Sequence, residues 1–405
     1  MSWEKVKLGD VTDSCLGKML DQVKNKGEYQ PYLANVDVRW GSFNLENLSL
    51  MRFEASEQER YGLQYGDLVI CEGGEPGRCA IWKDQIPGMK IQKALHRVRV
   101  HDCLDYRYLY YWFLLAGKTG ELEQYFTGAT IKHMPGEKLK SVIITKPPIE
   151  VQRKIADILW VYDDLIENNQ KQIKLLEEAA QRLYKEWFVD LRFPDHETTP
   201  ITDGIPEGWR PVCLDNVISK ITTGLNPRKN FVLGTGRNYY VTIKNMANNS
   251  IYLNDKCDRI DDEAIEKINN RSDLRLGDIL FSGIGTIGRV YMIDIPTTNW
   301  NVSESVFTMR VNNLVSKEFL YLLLLSHDMQ SYCDQNAHGV AQRGIRMADL
   351  RAYKFFLPTE NLLDSFTSIV KPLIEKTQYL RQQITLLEEA RDRLLPKLMN
   401  GEIEV

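Results

Sequence analysis

The chain repeats itself at a constant offset of 211 residues, which limits its fold more than any other feature. Leu63-Gln-Tyr-Gly66-Asp67-Leu-Val-Ile aligns with Leu274-Arg-Leu-Gly277-Asp278-Ile-Leu-Phe. Gly74-Glu-Pro-Gly77-Arg78 aligns with Gly285-Thr-Ile-Gly288-Arg289. In the same frame Arg99-Val100 meets Arg310-Val311, Leu109-Tyr110 meets Leu320-Tyr321, and Leu139 meets Leu350. Gly128 meets Gly339, Pro147 meets Pro358, and the run Leu175 to Leu183 matches Leu386 to Leu394. Trp3 and Trp209 correspond at an offset of 206, so the copies differ slightly in length near their starts.

Each copy has two parts. Residues 1–147 and 196–358 read as mixed domains, with strand-like runs such as Asp67 to Cys71 and Asp278 to Phe281 between glycine turns. Residues 148–195 and 359–405 read as helical. In the first helix the apolar positions run Ile158, Tyr162, Leu165, Ile173, Leu176, Ala180, Leu183, Trp187. In the second they run Ile369, Leu373, Leu380, Ile384, Leu387, Leu394, Leu398. Spacings of three, four and their sums make a stripe too narrow to stand alone, so each helix needs a partner. Packing against each other is the economical solution, and 40 residues of helix span ~60 Å. Pro147-Pro148 and Pro358 precede the helices, and Asn400-Gly401 suits a helix end. The stretch Phe193 to Pro206 has linker composition.

With 43% hydrophobic and 26% charged residues, 405 residues are enough for two or three domains with real cores. No apolar run approaches the ~18–20 residues of a membrane span, and no signal-peptide stretch opens the chain, so no membrane partner and a cytoplasmic location are expected. Seven scattered cysteines without a CxxC pair argue against a disulfide framework or structural zinc. The net charge of -4 does not advertise a nucleic-acid binder, but the acidity sits on the helices. Lys+Arg against Asp+Glu is 20 to 19 in 1–147 and 18 to 18 in 196–358, but 7 to 10 in 148–195 and 6 to 8 in 359–405. Neutral domains leave room for a basic DNA-facing side.

Several catalytic motifs fail on inspection. Gly283-Ile-Gly285-Thr-Ile-Gly288 spells the dinucleotide pattern, but strand-like residues follow it and Thr308 stands where an acid belongs. A tight turn between strands is expected instead. Gly117-Lys118-Thr119 lacks the first glycine of a phosphate-binding loop. Thr145-Lys-Pro147-Pro148-Ile149 lacks the polar residue before the prolines that an amino-methyltransferase needs. No nuclease, nucleophile-elbow or metal arrangement is found, so no catalytic residue and no metal site are expected. For Asp67 and Asp278, a Gly-Asp turn entering a buried strand is simpler than a catalytic role.

Three paired segments look like ligand contacts. Gly17-Lys18 to Lys26 and Gly224 to Asn230 open each domain with basic loops containing Lys18, Lys24, Lys26, Asn226, Arg228 and Lys229. Ile91-Gln92-Lys93 and Asn301-Val-Ser303-Glu304-Ser305 are equivalent polar stretches. Gly128-Ala-Thr130-Ile-Lys132-His133 and Gly339-Val-Ala-Gln342-Arg343-Gly-Ile-Arg346 are Gly-led and basic. Such side chains read base edges or neutralise phosphates. A solvated loop explains any single residue as well, but recurrence in both copies argues for a shared role. The side chains differ between copies, as two readers of different sequences require.

These features together resemble the specificity (S) subunit of type I restriction-modification systems. The resemblance rests on the tandem repeat and on Pro147-Pro-Ile-Glu150-Val-Gln152-Arg-Lys-Ile155, close to the family's Pro-Pro-Leu-x-Glu-Gln-x-x-Ile. It also rests on the Leu-Leu-Glu-Glu-Ala helix runs and the terminus Leu394-Leu-Pro-Lys-Leu-Met-Asn-Gly-Glu-Ile403. It covers the whole length; the second helix departs, with Leu357-Pro-Thr-Glu360 in place of the motif. The resemblance implies an α+β fold of two similar α/β target-recognition domains, each reading one half of a bipartite double-stranded DNA site. It implies a spacer of two long antiparallel coiled-coil helices and an internal pseudo-twofold repeat, with one methyltransferase (M) subunit docking on each half. S-adenosylmethionine would belong to the M subunits, ATP and Mg to restriction (R) subunits, and no cofactor to this chain. Glu150, Gln152 and Arg153 are candidate docking surface on the outward helix faces. The competing classes are a protein-only coiled-coil adaptor, a standalone enzyme, and the specificity subunit of a methylation-only defence system.

Overall fold

Short apolar runs framed by glycine turns build the sheets, and in each copy one such run is buried on both faces. Leu68–Cys71 sends Leu68 and Ile70 into one core cluster and Val69 and Cys71 into another. That is the period-two pattern of a strand between two layers. Ile279–Ser282 repeats it, with Ile279 and Phe281 on one side and Leu280 on the other. The computed structural model describes residues 3–19, 21, 25–339 and 343–405. It divides into two units, residues 1–168 with 384–405, and residues 169–383.

In the first unit Glu4–Lys7 pairs antiparallel with Ile143–Lys146. A four-stranded antiparallel sheet follows in the order Thr12–Leu16, Leu95–Val100, Leu68–Cys71, Cys79–Ile81. A three-stranded sheet sets Glu28–Leu33 between antiparallel Ser49–Phe53 and parallel Lys90–Ile91. The helix Tyr106–Thr119, capped by the Asp105 carboxylate, fills the core with Leu109 and Phe113.

The second unit repeats this plan. Arg210–Cys213 pairs with Lys354–Leu357. The four strands run Ile218–Thr223, Val306–Val311, Ile279–Ser282, Val290–Met292. Its three-stranded sheet sets Asn238–Val241 between Asp258–Ile260 and Trp300–Val302. The copies differ beside this sheet, where the first has the single turn Gln58–Tyr61 and the second the helix Asp262–Ser272.

The Gly-Asp turns are structural, as expected. Arg99 donates to Asp67 through Nε and Nη2 at 2.7 and 2.8 Å, and Arg310 donates to Asp278 at 2.7 and 2.8 Å. Each aspartate also accepts a backbone N–H from three residues earlier, Gln64 or Arg275. The GxGxxG segment is the expected tight turn. It joins antiparallel Ile279–Ser282 and Val290–Met292, with Gly285 and Gly288 at φ of +86° and +90°.

The long helices are Ile149–Tyr184 and Glu360–Met399. Each unit holds one segment of both, running antiparallel. Asp163 meets Arg391 in the first unit and Glu177 meets Arg381 in the second. The apolar stripe read from sequence holds from Ile173 to Trp187 but is displaced nearer the domains. Ile158, Leu165 and Ile369 are exposed, and the buried positions there are Ile155, Leu159, Ile166, Phe366 and Val370. Those stretches pack onto their own domain as well as onto the partner helix, and the domain decides which face is covered. The first helix passes into a π-helical turn, Lys185–Val189, that carries Trp187 and Phe188 into an aromatic cluster with Tyr184, Phe319 and Phe366. Phe193 is buried too, so the linker is anchored at its start. Among the described residues no helix is long and apolar enough to cross a membrane.

Candidate nucleic-acid interface

At one end of each four-stranded sheet the backbone ties the three candidate loops together. In the first unit the Gly17 N–H donates to the Leu95 carbonyl at 2.9 Å, and Lys18 N–H to Ile91 at 3.0 Å. Lys93 N–H returns to the Lys18 carbonyl at 2.8 Å, locking the opening loop onto residues 91–93. Glu72 N–H donates to Ala94 at 2.9 Å and Met134 N–H to Glu72 at 2.7 Å, which brings in the third loop. The second unit repeats these last bonds 211 residues later. Gly283 N–H donates to Ser305 at 2.9 Å and Ile345 N–H to Gly283 at 2.8 Å. Gly224 N–H, at the head of its opening loop, donates to Ser303 at 3.3 Å. The Asp67–Arg99 and Asp278–Arg310 clasps sit at the opposite end of the same strands.

Glycine is required where these loops meet. A Cβ on Gly17 would lie 2.4 Å from the Gln92 carbonyl oxygen, and one on Gly224 1.6 Å from that of Val302. The third loops are hairpins closed by reciprocal bonds, Thr127 with His133 at 2.8 and 2.8 Å, and His338 with Gly344 at 2.8 and 2.9 Å. Gly128 and Gly339 enter them at φ of +90° and +97°, backbone that a side chain disfavours.

Most of the singled-out residues reach this end. Lys26, Lys93, Thr130, Lys132, His133, Arg228, Lys229, Arg343 and Arg346 are exposed, and Gln92 is half-buried. Lys132 lies 3.4 Å from the Glu123 carboxylate, and Arg343 donates to the Asp334 carbonyl at 2.6 Å. Asn226 is a turn cap whose Oδ1 accepts from Arg228 N–H and whose Nδ2 donates to Glu304. Lys24 and Gln342 lie outside the described residues.

Three assignments need correction. Lys18 is buried, its Nζ bonded to Glu57 at 2.5 Å and to the Arg52 carbonyl at 2.9 Å, so it braces the loop from beneath. Ser303 is buried where its stretch crosses Gly224. Gln152 is fully buried and bonded to Asp105, Cys103 and Pro147, whereas Glu150 and Arg153 are exposed as expected and pair at 3.4 Å. The candidate residues named from the sequence do not include Ile131, which is 63% exposed in the hairpin, or the aligned pair Arg78 and Arg289. Each of these arginines ties its turn to a neighbouring backbone carbonyl, Asn35 or Ile243.

His96 supports the first hairpin from below. Burial lowers its pKa from the usual 6.5, partly opposed by the Met134 carbonyl 3.0 Å from Nε2. A histidine held neutral in the folded state resists protonation that the unfolded chain accepts. Stability is therefore lost as pH falls through about 6.5. Its counterpart in the repeat is Phe307, so the acid sensitivity belongs to the first unit. Denaturation at pH 7.5 and 5.5 is expected to show a loss in the wild type that His96→Asn largely removes.

The family model described as "Type I restriction modification DNA specificity domain" matches residues 1–178 and again 206–389. Among similar proteins, the type I restriction enzyme MjaIX specificity subunit of Methanocaldococcus jannaschii is 28% identical over 350 residues, 84% of this chain and 78% of that protein. The MjaVIII specificity subunit of the same organism is 24% identical over 428 residues, 100% of this chain and 93% of that protein. The crystal structure of a type I restriction-modification S subunit from M. genitalium shares the fold, with a TM-score of 0.57. It is 17% identical and covers 98% of this chain and 96% of its own.

Proposed function

The chain belongs to the type I restriction-modification DNA specificity family, and from that premise we propose that it is the DNA-recognition subunit of such a system. Each unit reads one half of a bipartite duplex site through its three-loop end, and the paired helices set the gap between the halves. The observation that carries this reading is the duplicated loop end. The same backbone bonds recur 211 residues apart, while the side chains they present differ. Shared geometry with unlike side chains suits two readers of different half-sites, because phosphate contacts position a protein and base contacts specify it.

The chemistry belongs to partners. Methyltransferase subunits supply S-adenosylmethionine chemistry on adenine, and restriction subunits use ATP and Mg. The exposed helix face that carries Glu150 and Arg153 continues through Ile158, Val161 and Leu165 at helical spacing. An apolar stripe with a charged margin is suited to a methyltransferase subunit.

Methylated-adenine mapping by long-read sequencing, with this chain and its methyltransferase co-expressed, tests the proposal. The expected result is a split motif with one methylated adenine per half. Replacing residues 1–147 by the corresponding domain of a relative is expected to change one half only. A continuous motif, or methylation unchanged without this chain, sinks the reading and leaves a protein-only adaptor.

A further inference from the structure

In both units an arginine sits over a tyrosine on the same face of the three-stranded sheet. Arg52 and Tyr29 are exposed, while Arg259 and Tyr239 are half-buried, Tyr239 at the margin of a core cluster. The Arg52 guanidinium sits 4.8 Å from the Tyr29 ring centre, and that of Arg259 sits 3.6 Å from Tyr239. Each pair is directly cross-strand, Tyr29 opposite Arg52 and Tyr239 opposite Arg259. The other face of each sheet is covered. Met51 and Phe53 pack with Tyr61, and Tyr240 and Ile260 pack with Ala264, Ile265 and Ile268.

The first stack is bonded to the basic opening loop of its unit, and the second to Gly234 and Arg237, in the stretch that follows its own opening loop. Arg52 N–H donates to Asn25 Oδ1 at 2.8 Å, next to Lys26. Arg259 accepts from Gly234 N–H at 2.9 Å and donates through Nη1 to the Arg237 carbonyl at 3.1 Å. Tyr29 stands four residues before Leu33, whose carbonyl receives Gln92 N–H, which places it ~13 Å along the strand from the reading stretch. Tyr29 is 60% exposed. Among the described residues no carboxylate lies within ion-pair distance of Arg52, and the nearest to Arg259 is Asp255 at 3.8 Å.

We propose that Tyr29–Arg52 and Tyr239–Arg259 are two phosphate clamps, one per unit, that grip the duplex backbone beside each half-site. This rests on the reading that the units bind DNA. An aromatic ring fixes the guanidinium plane and leaves N–H groups facing outward for a phosphate. Tyr29 and Tyr239 are two residues apart in the superimposed register, since Leu33 corresponds to Val241. Both therefore keep the same face without being the same alignment position. A pair re-created on one face, at shifted positions, is explained by a ligand at that face rather than by an inherited packing contact.

The test measures binding of the complex with its methyltransferase to two fluorescent duplexes across a salt series, one carrying the mapped motif and one scrambled. Arg52→Ala and Arg259→Ala are each expected to weaken both duplexes by the same factor, ~3–10-fold. Each is expected to reduce the slope of log affinity against log salt by ~0.9, one phosphate contact. Tyr29→Ala should do the same more weakly, and Arg52→Lys should keep most of the slope. An unchanged slope in both arginine variants, or weakening of the motif duplex alone, overturns the clamps. Failure of the wild-type complex to prefer the motif duplex overturns the DNA-reading proposal instead, so the two failures are told apart.

Discussion

Replacing Arg391 with alanine is expected to destabilise the first unit by about 3–5 kcal/mol, read as a fall in the urea midpoint at neutral pH. Arg391 Nη1 donates to Asp163 Oδ1 at 2.5 Å, and Tyr111 O–H donates to Asp163 Oδ2 at 2.6 Å. Both charged side chains are largely buried, 14% and 19% exposed. Burial works against the Arg391 charge, yet the Asp163 and Asp392 carboxylates outweigh it and hold the guanidinium above its ordinary pKa. Removing the cation leaves Asp163 inside the helix seam with only a phenol for company. The loss of the other partner is the expensive part, not the absence of a bridge as such.

The repeat supplies the control. At the positions equivalent to Tyr111, Asp163 and Arg391, the second unit has Leu322, Ile374 and Ala180. All three are buried, and they line one small cavity. The triple variant Tyr111→Leu, Asp163→Ile, Arg391→Ala copies that apolar solution into the first unit. It is expected to recover part of the stability that Arg391→Ala loses, because no charge is then left buried without its partner, although the smaller apolar groups leave some space unfilled. An Arg391→Ala variant within about 1 kcal/mol of wild type refutes the argument. So does a triple variant no better than the single one.

What could be read in advance was whatever recurs. The 211-residue offset located two domains and two helices because it superimposes turns, strands and helix runs without needing their partners. The loops were legible as a set for the same reason. Individual burial was not, because it depends on residues remote in sequence. Nothing around Lys18 announces that Glu57, 39 positions on, takes its ammonium. Helix register failed where a second surface intervenes. Ile158 and Ile369 fit the coil spacing, but the domains cover the neighbouring positions Ile155, Leu159 and Val370 instead. The Tyr–Arg stacks were invisible because a cross-strand pair needs the register that only the folded sheet provides.

Gln152→Leu is expected to destabilise the first unit by about 3 kcal/mol without altering any docking surface. Gln152 Oε1 accepts Asp105 N–H at 2.9 Å, and its Nε2 donates to the Pro147 and Cys103 carbonyls at 2.7 and 3.1 Å. Asp105 in turn caps the helix Tyr106–Thr119. The side chain thus fastens the start of one helix to the cap of another, and leucine strands one N–H and two carbonyls in a dry place. The second unit has leucine at this position already, Leu363, buried in the core. There the cap residue Ser316 reaches the long helix through Thr367 instead, at 2.9 Å. The absence of the Pro-Pro and Glu-Gln pattern from the second helix is therefore a change of fastening, not a loss of one. Gln152→Glu separates this account from a docking role. A carboxylate facing two carbonyls is unfavourable, and its protonated form restores a donor, so the folded-state pKa rises above the unfolded one. Its stability should then be greatest at low pH and fall as pH climbs through the raised value. Were Gln152 a docking residue, both variants would keep wild-type urea midpoints at every pH and lose only the methyltransferase, a result that reverses the assignment.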